Sequence, residues 1–385
     1  MKRKILLLTT AVLLCMANTF AQGGTTGPLT WNLNNGALTI SGNGAMPNYE
    51  EKGAPWYDYW ESIDTVIILN GVTTIGNYAF YYCFNLYSIT IPTSVISIGR
   101  SAFYYCEWLH LTTIPNSVKS IGSFAFAYCK ALTSISIPNG ITTIEEETFS
   151  GCEALTSATI PTSVKSIGKG AFCRTGFTSI AIPNSVTNIS DYAFGHCLYL
   201  NSISIPNSVT NIADYLFDNC RSLTSITIPK SVTSIGSFAF NGCISLTSIT
   251  NLNPEPVKIS GGEFSDVNIS ECTLRVPASA VSVYKKANVW KEFKIEGIEV
   301  GVETIETNPL KIYPNPTTRE LIIDNGQLTI TSVEIYDVMG KMQKSRKPEE
   351  QKGEWNLDIS HLSKGLYFVE IQTKTGNVVR KVVKE

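Results

Sequence analysis

The segment LTSITIPKSVTSIGSFAFNGCIS, residues 223–245, decides the fold because near-copies of it fill the middle of the chain. A partial copy at residues 66–85 precedes the full ones. Self-similarity at a fixed period in the low twenties is typical of a solenoid of stacked coils. The full copies begin 23 residues apart, with one step of 22 residues after Leu155, at Leu86, Leu109, Leu132, Leu155, Phe177, Leu200, Leu223 and Leu246.

The first part of each copy predicts a short strand. In LTSITIP, Ile226 and Ile228 alternate with Ser225 and Thr227. A period of two places the isoleucines on the buried side and the hydroxyls on the solvent side of a strand. Pro229 ends the strand because proline has no N–H to donate to a ladder.

The second part of each copy predicts another short extended piece and a turn. Val232 and Ile235, followed by Gly236, form the extended piece, and Phe240 and Cys243 fit one tight helical turn with an inward aromatic ring. One coil cannot bury so many apolar groups alone, whereas stacked coils share a continuous core. The expected fold is therefore mainly β with short helical turns.

The start of the chain predicts a secretory signal peptide at residues 1–21. Basic residues precede the apolar run Ile5–Met16, and small residues stand before Gln22. This pattern predicts cleavage between Ala21 and Gln22. Cys15 raises lipoprotein processing as the alternative, although the residue before it is a leucine and that site needs a small residue.

Residues 22–65 are expected to form an N-terminal β cap. Alternating apolar residues flank the turn at residues 34–36, which predicts a hairpin. An aromatic cluster follows, and two interpretations are open. The rings cover the open end of the solenoid, which needs a cap, or they form a platform for a sugar. The cluster consists of Trp56, Tyr57, Tyr59 and Trp60.

The repeats occupy residues 66–251, and residues 252–300 are expected to form a C-terminal cap with a short helix at 278–290. Lysine, glutamate and arginine become frequent in residues 301–385, where the repeats are absent. Alternating segments in that tail predict a small antiparallel β-sandwich. These segments are 321–323, 332–336 and 365–371.

The repeat unit resembles the BspA-like, or Treponema pallidum-type, leucine-rich repeat proteins over roughly residues 23–299. Ile-Pro, Ser-Val, Ile-Gly, Ala-Phe and Cys recur in step, with departures at Thr112, Ala158 and around Cys173. The resemblance implies a leucine-rich repeat solenoid. It also implies a bacterial surface protein that adheres to host proteins and to other cells.

The tail resembles the type A C-terminal sorting domain of the type IX secretion system. This resemblance implies transport across a gram-negative outer membrane, usually with removal of the tail and often with attachment to lipopolysaccharide. The protein would then be secreted or anchored to the outer surface, and a plain β-sandwich accessory domain is the alternative. The residues that carry the motif are Pro314, Asn315, Pro316, Gly340, Gly365 and Lys381.

Charge and residue distribution argue against several functions. A net charge of −2 and a pI near 6.0 give no reason to expect a nucleic-acid partner. The three histidines lie far apart in sequence, and no glycine-rich phosphate loop follows a strand. Glu145, Glu146 and Glu147 form the one acidic run, which is either a solvated turn or part of a cation or carboxylate site. We therefore expect no enzyme activity and no cofactor.

Most of the ten cysteines occupy one repeat position, three residues after the repeat phenylalanine. Disulfides are the usual expectation in an exported chain, but parallel side chains on stacked coils suit that bond poorly. Thr175 lies near the same position in the short repeat, which favours a buried, weakly hydrogen-bonding role. The absence of a Cys-x-x-Cys pair argues against a metal site. The seven residues are Cys83, Cys106, Cys129, Cys152, Cys197, Cys220 and Cys243.

The leading hypothesis is a non-enzymatic surface protein that binds an extracellular protein or glycan through the solenoid face. Stacked strands favour extended partners held by many weak contacts, and tyrosines favour interfaces. A structural coat protein without a specific ligand is one alternative, and a glycan-acting protein using residues 145–147 is another. The candidate contact residues are Ser88, Thr90, Ser134, Ser136, Ser202, Ser204, Ser225, Thr227, Tyr82 and Tyr105, with Tyr81, Tyr104 and Tyr128 beside the last two.

Overall fold

The computed structural model describes residues 22–110, 113–299, 311–313, 316–324, 330–337, 341–346, 354–373 and 376–385. The predicted signal peptide with Ala21 lies outside these residues, and so do Thr112, Pro314, Asn315 and Gly340. Contacts divide the chain after Val300 into two compact units.

The first unit contains short strands and very little helix. One α-helix, α1, spans Val281–Tyr284, and 3-10 turns span Tyr57–Ser62, Gly262–Phe264, Ala278–Ala280 and Trp290–Glu292. The strands of the first unit are β1 (Gln22–Thr26), β2 (Leu29–Asn34), β3 (Ala37–Gly42), β4 (Gly44–Ala45), β5 (Thr65–Ile68), β6 (Val72–Ile75), β7 (Ser88–Thr90), β8 (Ser97–Ile98), β9 (Ser120–Ile121), β10 (Ser134–Ser136), β11 (Thr143–Ile144), β12 (Ser157–Thr159), β13 (Ser166–Ile167), β14 (Ser179–Ile180), β15 (Asn188–Ile189), β16 (Ser202–Ser204), β17 (Asn211–Ile212), β18 (Ser225–Ile228), β19 (Ser234–Ile235), β20 (Ser248–Asn251), β21 (Thr273–Pro277) and β22 (Lys294–Ile298).

The first strand of each coil has the predicted alternation. In β18, Ile226 and Ile228 are buried, whereas Ser225 and Thr227 are exposed. Strands β16, β18 and β20 pair in parallel, so that Ile203, Ile226 and Ile249 lie side by side in successive coils. Parallel pairing of identical positions makes the core continuous from coil to coil. The prediction of a mainly β solenoid is confirmed.

The second extended piece of each coil forms a separate set of parallel pairs. Ile212 of β17 lies beside Ile235 of β19, and both are buried. The strand orders of the first unit are β1-β2-β3-β5-β7, β4-β6-β8-β9, β10-β12, β11-β13-β15, β14-β16-β18-β20-β21-β22 and β17-β19.

The turn segment, which joins the second piece to the next coil, consists of tight turns and does not extend into a helix. The N–H of Cys243 donates to the carbonyl of Phe240 at 3.2 Å, as in one helical turn. Positive φ angles at Phe238 (57°) and Gly242 (68°) then interrupt the right-handed geometry. The N–H of Phe240 bonds outside its own coil, to the carbonyl of Glu263 at 2.8 Å. The turn segments therefore form their own hydrogen-bonded column.

Phenylalanine rings fill the core along the whole array. Successive rings stack at centroid distances between 5.1 Å and 6.1 Å. Trp56 stacks on the first ring at 5.8 Å, and Trp290 meets the last ring edge-on at 5.7 Å. This phenylalanine stack consists of Phe80, Phe103, Phe126, Phe149, Phe172, Phe194, Phe217, Phe240 and Phe264.

An antiparallel hairpin lies at the N-terminal end of the stack. Strands β2 and β3 pair with Asn34 opposite Ala37, as predicted, and β3 then pairs in parallel with β5. Trp56 is fully buried, and its indole Nε1 donates to the carbonyl of Ala79 at 2.7 Å. Because both the ring and its polar atom are used internally, Trp56 is not part of a sugar platform.

At the C-terminal end, β20 pairs with β21 and β21 with β22. The helix predicted at residues 278–290 is wrong in length, since α1 covers only Val281–Tyr284. Val289 has a φ of 64°, which a right-handed helix cannot accommodate. Trp290 therefore begins a separate turn and lies buried against the stack.

The second unit consists of two antiparallel sheets around one core, and the predicted sandwich is confirmed. The sheets have the orders β23-β24-β27 and β26-β25-β28-β29. Leu321 and Ile323 from the first sheet share a core with Val369 and Ile371 from the second. The strands are β23 (Lys311–Tyr313), β24 (Glu320–Asp324), β25 (Ile330–Asp337), β26 (Met342–Arg346), β27 (Glu354–Asp358), β28 (Gly365–Thr373) and β29 (Gly376–Lys384).

Candidate binding surfaces

The predicted hydroxyl residues lie on outward positions of the first strand of the coils, a surface that we call the strand face. Equivalent residues form columns, because Ser202 pairs with Ser225 and Ser204 pairs with Thr227. Ser134 and Ser136 lie in the same way on β10, and Ser88 and Thr90 on β7. All of these residues are exposed except Ser88, which is half-buried and donates to Thr65 Oγ1 at 3.4 Å.

The strand face is divided into sections. Among the described strands, β5 pairs with β7, β10 with β12, and β14 with β16, but β12 and β14 do not pair. This break falls at the 22-residue coil, where Ala158 on β12 is half-buried in place of the usual isoleucine. The hydroxyl columns on the two sides of the break are therefore separate.

The predicted tyrosines lie on the turn segments and not on the strand face. Tyr82 stacks on Tyr105 at 4.9 Å, and Tyr105 stacks on Tyr128 at 4.4 Å. In a second row, Tyr81 stacks on Tyr104 at 5.2 Å. We call these five residues the tyrosine ladder. The rings cover one another's faces, so a partner would meet mainly ring edges and hydroxyl groups.

Three hydroxyls of the tyrosine ladder, those of Tyr81, Tyr104 and Tyr128, have raised pKa values, mainly because of burial. Burial is the main cause that raises the pKa of Tyr104 to about 12, and neighbouring tyrosines raise it further. Burial also raises the pKa of Tyr81, whose hydroxyl donates to Glu51 Oε1 at 2.9 Å. These three hydroxyls are therefore neutral hydrogen-bonding groups.

The cysteines form a buried ladder of free thiols. Cys106 Sγ donates to the carbonyl of Phe80 at 3.2 Å, and Cys129 Sγ donates to that of Phe103 at 3.3 Å. In the short coil Thr175 takes this position and lies 3.2 Å from Cys197 Sγ. Burial raises the pKa values of these cysteines, as at Cys152 and Cys243, each to about 12. These thiols are structural donors, as the buried interpretation predicted.

The acidic run lies on one turn. Glu145 is exposed, and Glu146 and Glu147 are half-buried. Burial and then the neighbouring Glu146 raise the pKa of Glu147. Across the described residues, no three His, Cys, Asp or Glu side chains are grouped so as to hold a metal ion.

Four residues with predicted processing roles lie within the described part of the chain. Gln22 is the first residue of β1. In the second unit, Pro316 is exposed, Gly365 is the first residue of β28, and Lys381 lies opposite Phe368 in the β28–β29 pair.

Sequence reasoning missed one cluster, which surrounds the short coil. A recess of about 650 Å³ is lined there by Lys130, Glu153, Ala154, Arg174, Thr175, His196, Leu198 and Tyr199. His196 Nε2 lies 3.2 Å from Asp218 Oδ2. The sequence signal for this recess is the single 22-residue step between Leu155 and Phe177.

Stacked coils with hydroxyl-bearing strands, followed by a separate β-sandwich, define the class as a leucine-rich repeat solenoid with a C-terminal accessory unit. The profile of the BspA type leucine rich repeat region matches in six copies, over residues 56–175 and 165–288. The chain belongs to this family. The secretion system C-terminal sorting domain matches residues 311–385.

Several solved structures are similar to this chain, whereas a search of curated proteins gives no match. A leucine-rich repeat protein from Bacteroides ovatus ATCC 8483 is 24% identical, with 67% of this chain and 80% of that chain covered and a TM-score of 0.49. A leucine-rich repeat protein from Eubacterium ventriosum ATCC 27560 is 24% identical, with 68% of this chain and 80% of that chain covered and a TM-score of 0.43. A leucine rich cell surface protein from Faecalibacterium prausnitzii A2-165 is 27% identical, with 72% of this chain and 96% of that chain covered and a TM-score of 0.43.

The two family matches indicate a protein that is secreted or held at the outer cell surface. The sorting domain implies an interaction with type IX secretion machinery. Within the part of the chain that the structure describes, no helix has the length and apolar character needed to span a membrane.

Proposed function

We propose that the protein is an adhesin whose strand face binds an extracellular protein of a host or of a neighbouring cell. The observation that carries this proposal is the register of the outward hydroxyls, in which Ser202 lies beside Ser225 and Ser204 beside Thr227, and the half-buried Ser248 and Thr250 continue the two rows. Such rows match the repeating donors and acceptors of an extended polypeptide. Many weak contacts of this kind add up over several coils.

The hydroxyls are available for a partner. Ser204 and Thr227 are exposed, and no described residue hydrogen-bonds to either side chain. Removing water from a neutral hydroxyl costs less free energy than removing it from a charged group. Hydroxyls therefore suit an interface that forms and breaks at the cell surface. The tyrosine ladder offers a second set of neutral contacts on the turn segments, with Tyr82 and Tyr105 as its proposed anchors.

The test is saturable binding of the fluorescently labelled protein to intact host cells, with and without prior protease treatment of those cells. Lysine substitutions of Ser204 and Thr227 place two long charged side chains in adjacent positions of the strand face, and they should weaken binding at least tenfold. Thr210→Lys is the matched control, since Thr210 is exposed outside that face. Binding that does not saturate, or that survives the double substitution, would favour a structural coat protein.

We also propose that residues 1–21 and the tail from about residue 301 are removed during export. The sorting-domain match over residues 311–385 supports this proposal. Intact mass and N-terminal sequencing of the surface-released protein test it directly. The expected product begins at Gln22 and ends between residues 299 and 310, whereas a product that retains Glu385 in the cell envelope contradicts it.

A further inference from the structure

The short coil lacks the two side chains that other coils place on the rim of the turn segment. Glu153 and Ala154 separate Cys152 from the core leucine of one neighbouring coil, whereas Gly176 alone separates Thr175 from Phe177. Gly176 is buried, and a Cβ on it would lie 2.4 Å from the carbonyl oxygen of Glu153. The missing side chains leave the recess of about 650 Å³ that opens between the flanking coils.

Charged side chains of both signs line this recess. Arg174 is exposed, and within the described residues no carboxylate forms an ion pair with it. Lys130, by contrast, pairs with Glu107 at 2.9 Å. A smaller recess of about 260 Å³ shares Arg174 and His196 and adds Lys169 and Glu147 to its lining. The two linings thus hold three permanent cations, Lys130, Lys169 and Arg174, and two carboxylates, Glu147 and Glu153.

An aromatic ring with available faces also lines this recess. Tyr199 is 62% exposed, and beside it Leu198 is 44% exposed. No described ring packs against Tyr199, unlike the rings of the tyrosine ladder, whose faces are covered by one another. The electron-rich face of such a ring attracts C–H groups that carry partial positive charge.

We propose that this recess binds a carboxylated sugar. The guanidinium of Arg174 pairs with the sugar carboxylate through two parallel hydrogen bonds, the strong geometry for that pair. The Tyr199 ring packs against the C–H face of the pyranose, and Glu153 and His196 bond to its hydroxyls. The volume is in the range of small-molecule sites, in which a few polar groups set orientation beside an apolar wall.

A sugar suits the recess better than an acidic peptide. A peptide strand needs free backbone donors and acceptors, but here the N–H of Arg174 already bonds to the carbonyl of Gly195 at 2.9 Å. The N–H of Gly151 likewise bonds to the carbonyl of Cys173 at 2.8 Å. The site also lies on the turn segments, away from the strand face, so it is independent of the protein-binding role proposed above.

Saturation-transfer NMR and calorimetry on the secreted protein provide the test, with sodium glucuronate as the probe and glucose as its neutral counterpart. Glucuronate is expected to bind at least tenfold more tightly than glucose, and added salt should weaken it. Arg174→Asn should remove this preference, because asparagine is uncharged and tolerates the φ of 57° at this position. Tyr199→Ala should weaken both sugars.

Arg221→Asn is the matched control, because Arg221 is an exposed arginine on the same rim, outside the recess. Equal affinity for glucuronate and glucose would overturn the proposal, and so would an equal loss in the Arg174 and Arg221 variants. Tighter binding of oligoglutamate than of glucuronate would assign the site to acidic peptides instead. The Arg174 variant should bind host cells normally through the strand face, so the two proposals can fail separately.

Discussion

Phe149 lies in the middle of the phenylalanine stack, and its replacement by alanine tests whether the coils are stabilised by their shared core. The ring is 1% exposed and stacks on Phe126 at 5.7 Å and on Phe172 at 5.6 Å. Removing a buried phenylalanine costs about 3–5 kcal/mol, since the lost transfer free energy is joined by that of a cavity. Because each coil contacts only its neighbours, the loss weakens two interfaces.

Urea unfolding followed by tryptophan fluorescence measures this cost, since five of the six tryptophans lie in the first unit. With a slope of about 3 kcal/mol per M, the midpoint should fall by about 1–1.7 M. Phe238→Ala is the control: this ring is 37% exposed and stacks on Tyr215 at 5.2 Å, so its loss should cost about 1 kcal/mol or less. Equal midpoints for the two variants would refute the reasoning.

Two further predictions concern the thiols and the glycines. Burial raises the pKa of Cys152 from 9.0 to about 12, so the thiol ionises more easily in the unfolded chain than in the folded one. The free energy of unfolding should therefore be at its full value below pH 9. As the pH rises from 9 towards 12, it should fall by about 1.4 kcal/mol per pH unit for each such thiol. Urea midpoints at pH 8, 9 and 10 should therefore fall less steeply in Cys152→Ala. Gly76→Ala should cost about 3 kcal/mol, because its Cβ would lie 1.8 Å from the carbonyl oxygen of Pro47. Gly262→Ala, with no atom closer than 3.9 Å, should change the melting temperature very little.

The strands were predictable because their pattern is local and repeated. The alternation of Ile226 and Ile228 with Ser225 and Thr227 determines which side is buried, and the structure has the same order. The hairpin around Asn34 likewise follows from a turn between alternating strands. Repetition multiplies such signals, because the same alternation recurs from coil to coil.

The turn segments were less predictable, because their geometry is set by the next coil. Tyr82 and Tyr105 have φ angles of 62° and 60°, a conformation that bulky residues rarely adopt alone. Their N–H groups bond to carbonyls one coil further along, which holds the unusual geometry in place. A pattern read from one coil therefore predicts the tight turn, but it does not predict the hydrogen bonds that join that turn to the next coil.

The candidate site was the least predictable part. The sequence shows that a residue is missing before Phe177, but the recess depends on which side chains the flanking coils place around the gap. Arg174 and Tyr199 lie 25 residues apart in sequence and line the same recess only when the coils stack. The two residues form a candidate site because the coils stack, and no local sequence motif indicates it.

The short coil also gives the array a landmark, by which we mean a position that a long partner could distinguish from the regular coils. In a ladder of identical coils, a long partner could slide by one repeat and find the same contacts again, so its position would be undefined. The interruption between β12 and β14, with the 22-residue step beside it, distinguishes this position from the regularly paired coils that follow it. A repeat gained or lost elsewhere during replication would change the length of the array and leave this landmark intact. A defect in the periodicity thus supplies the positional information that the periodicity itself lacks.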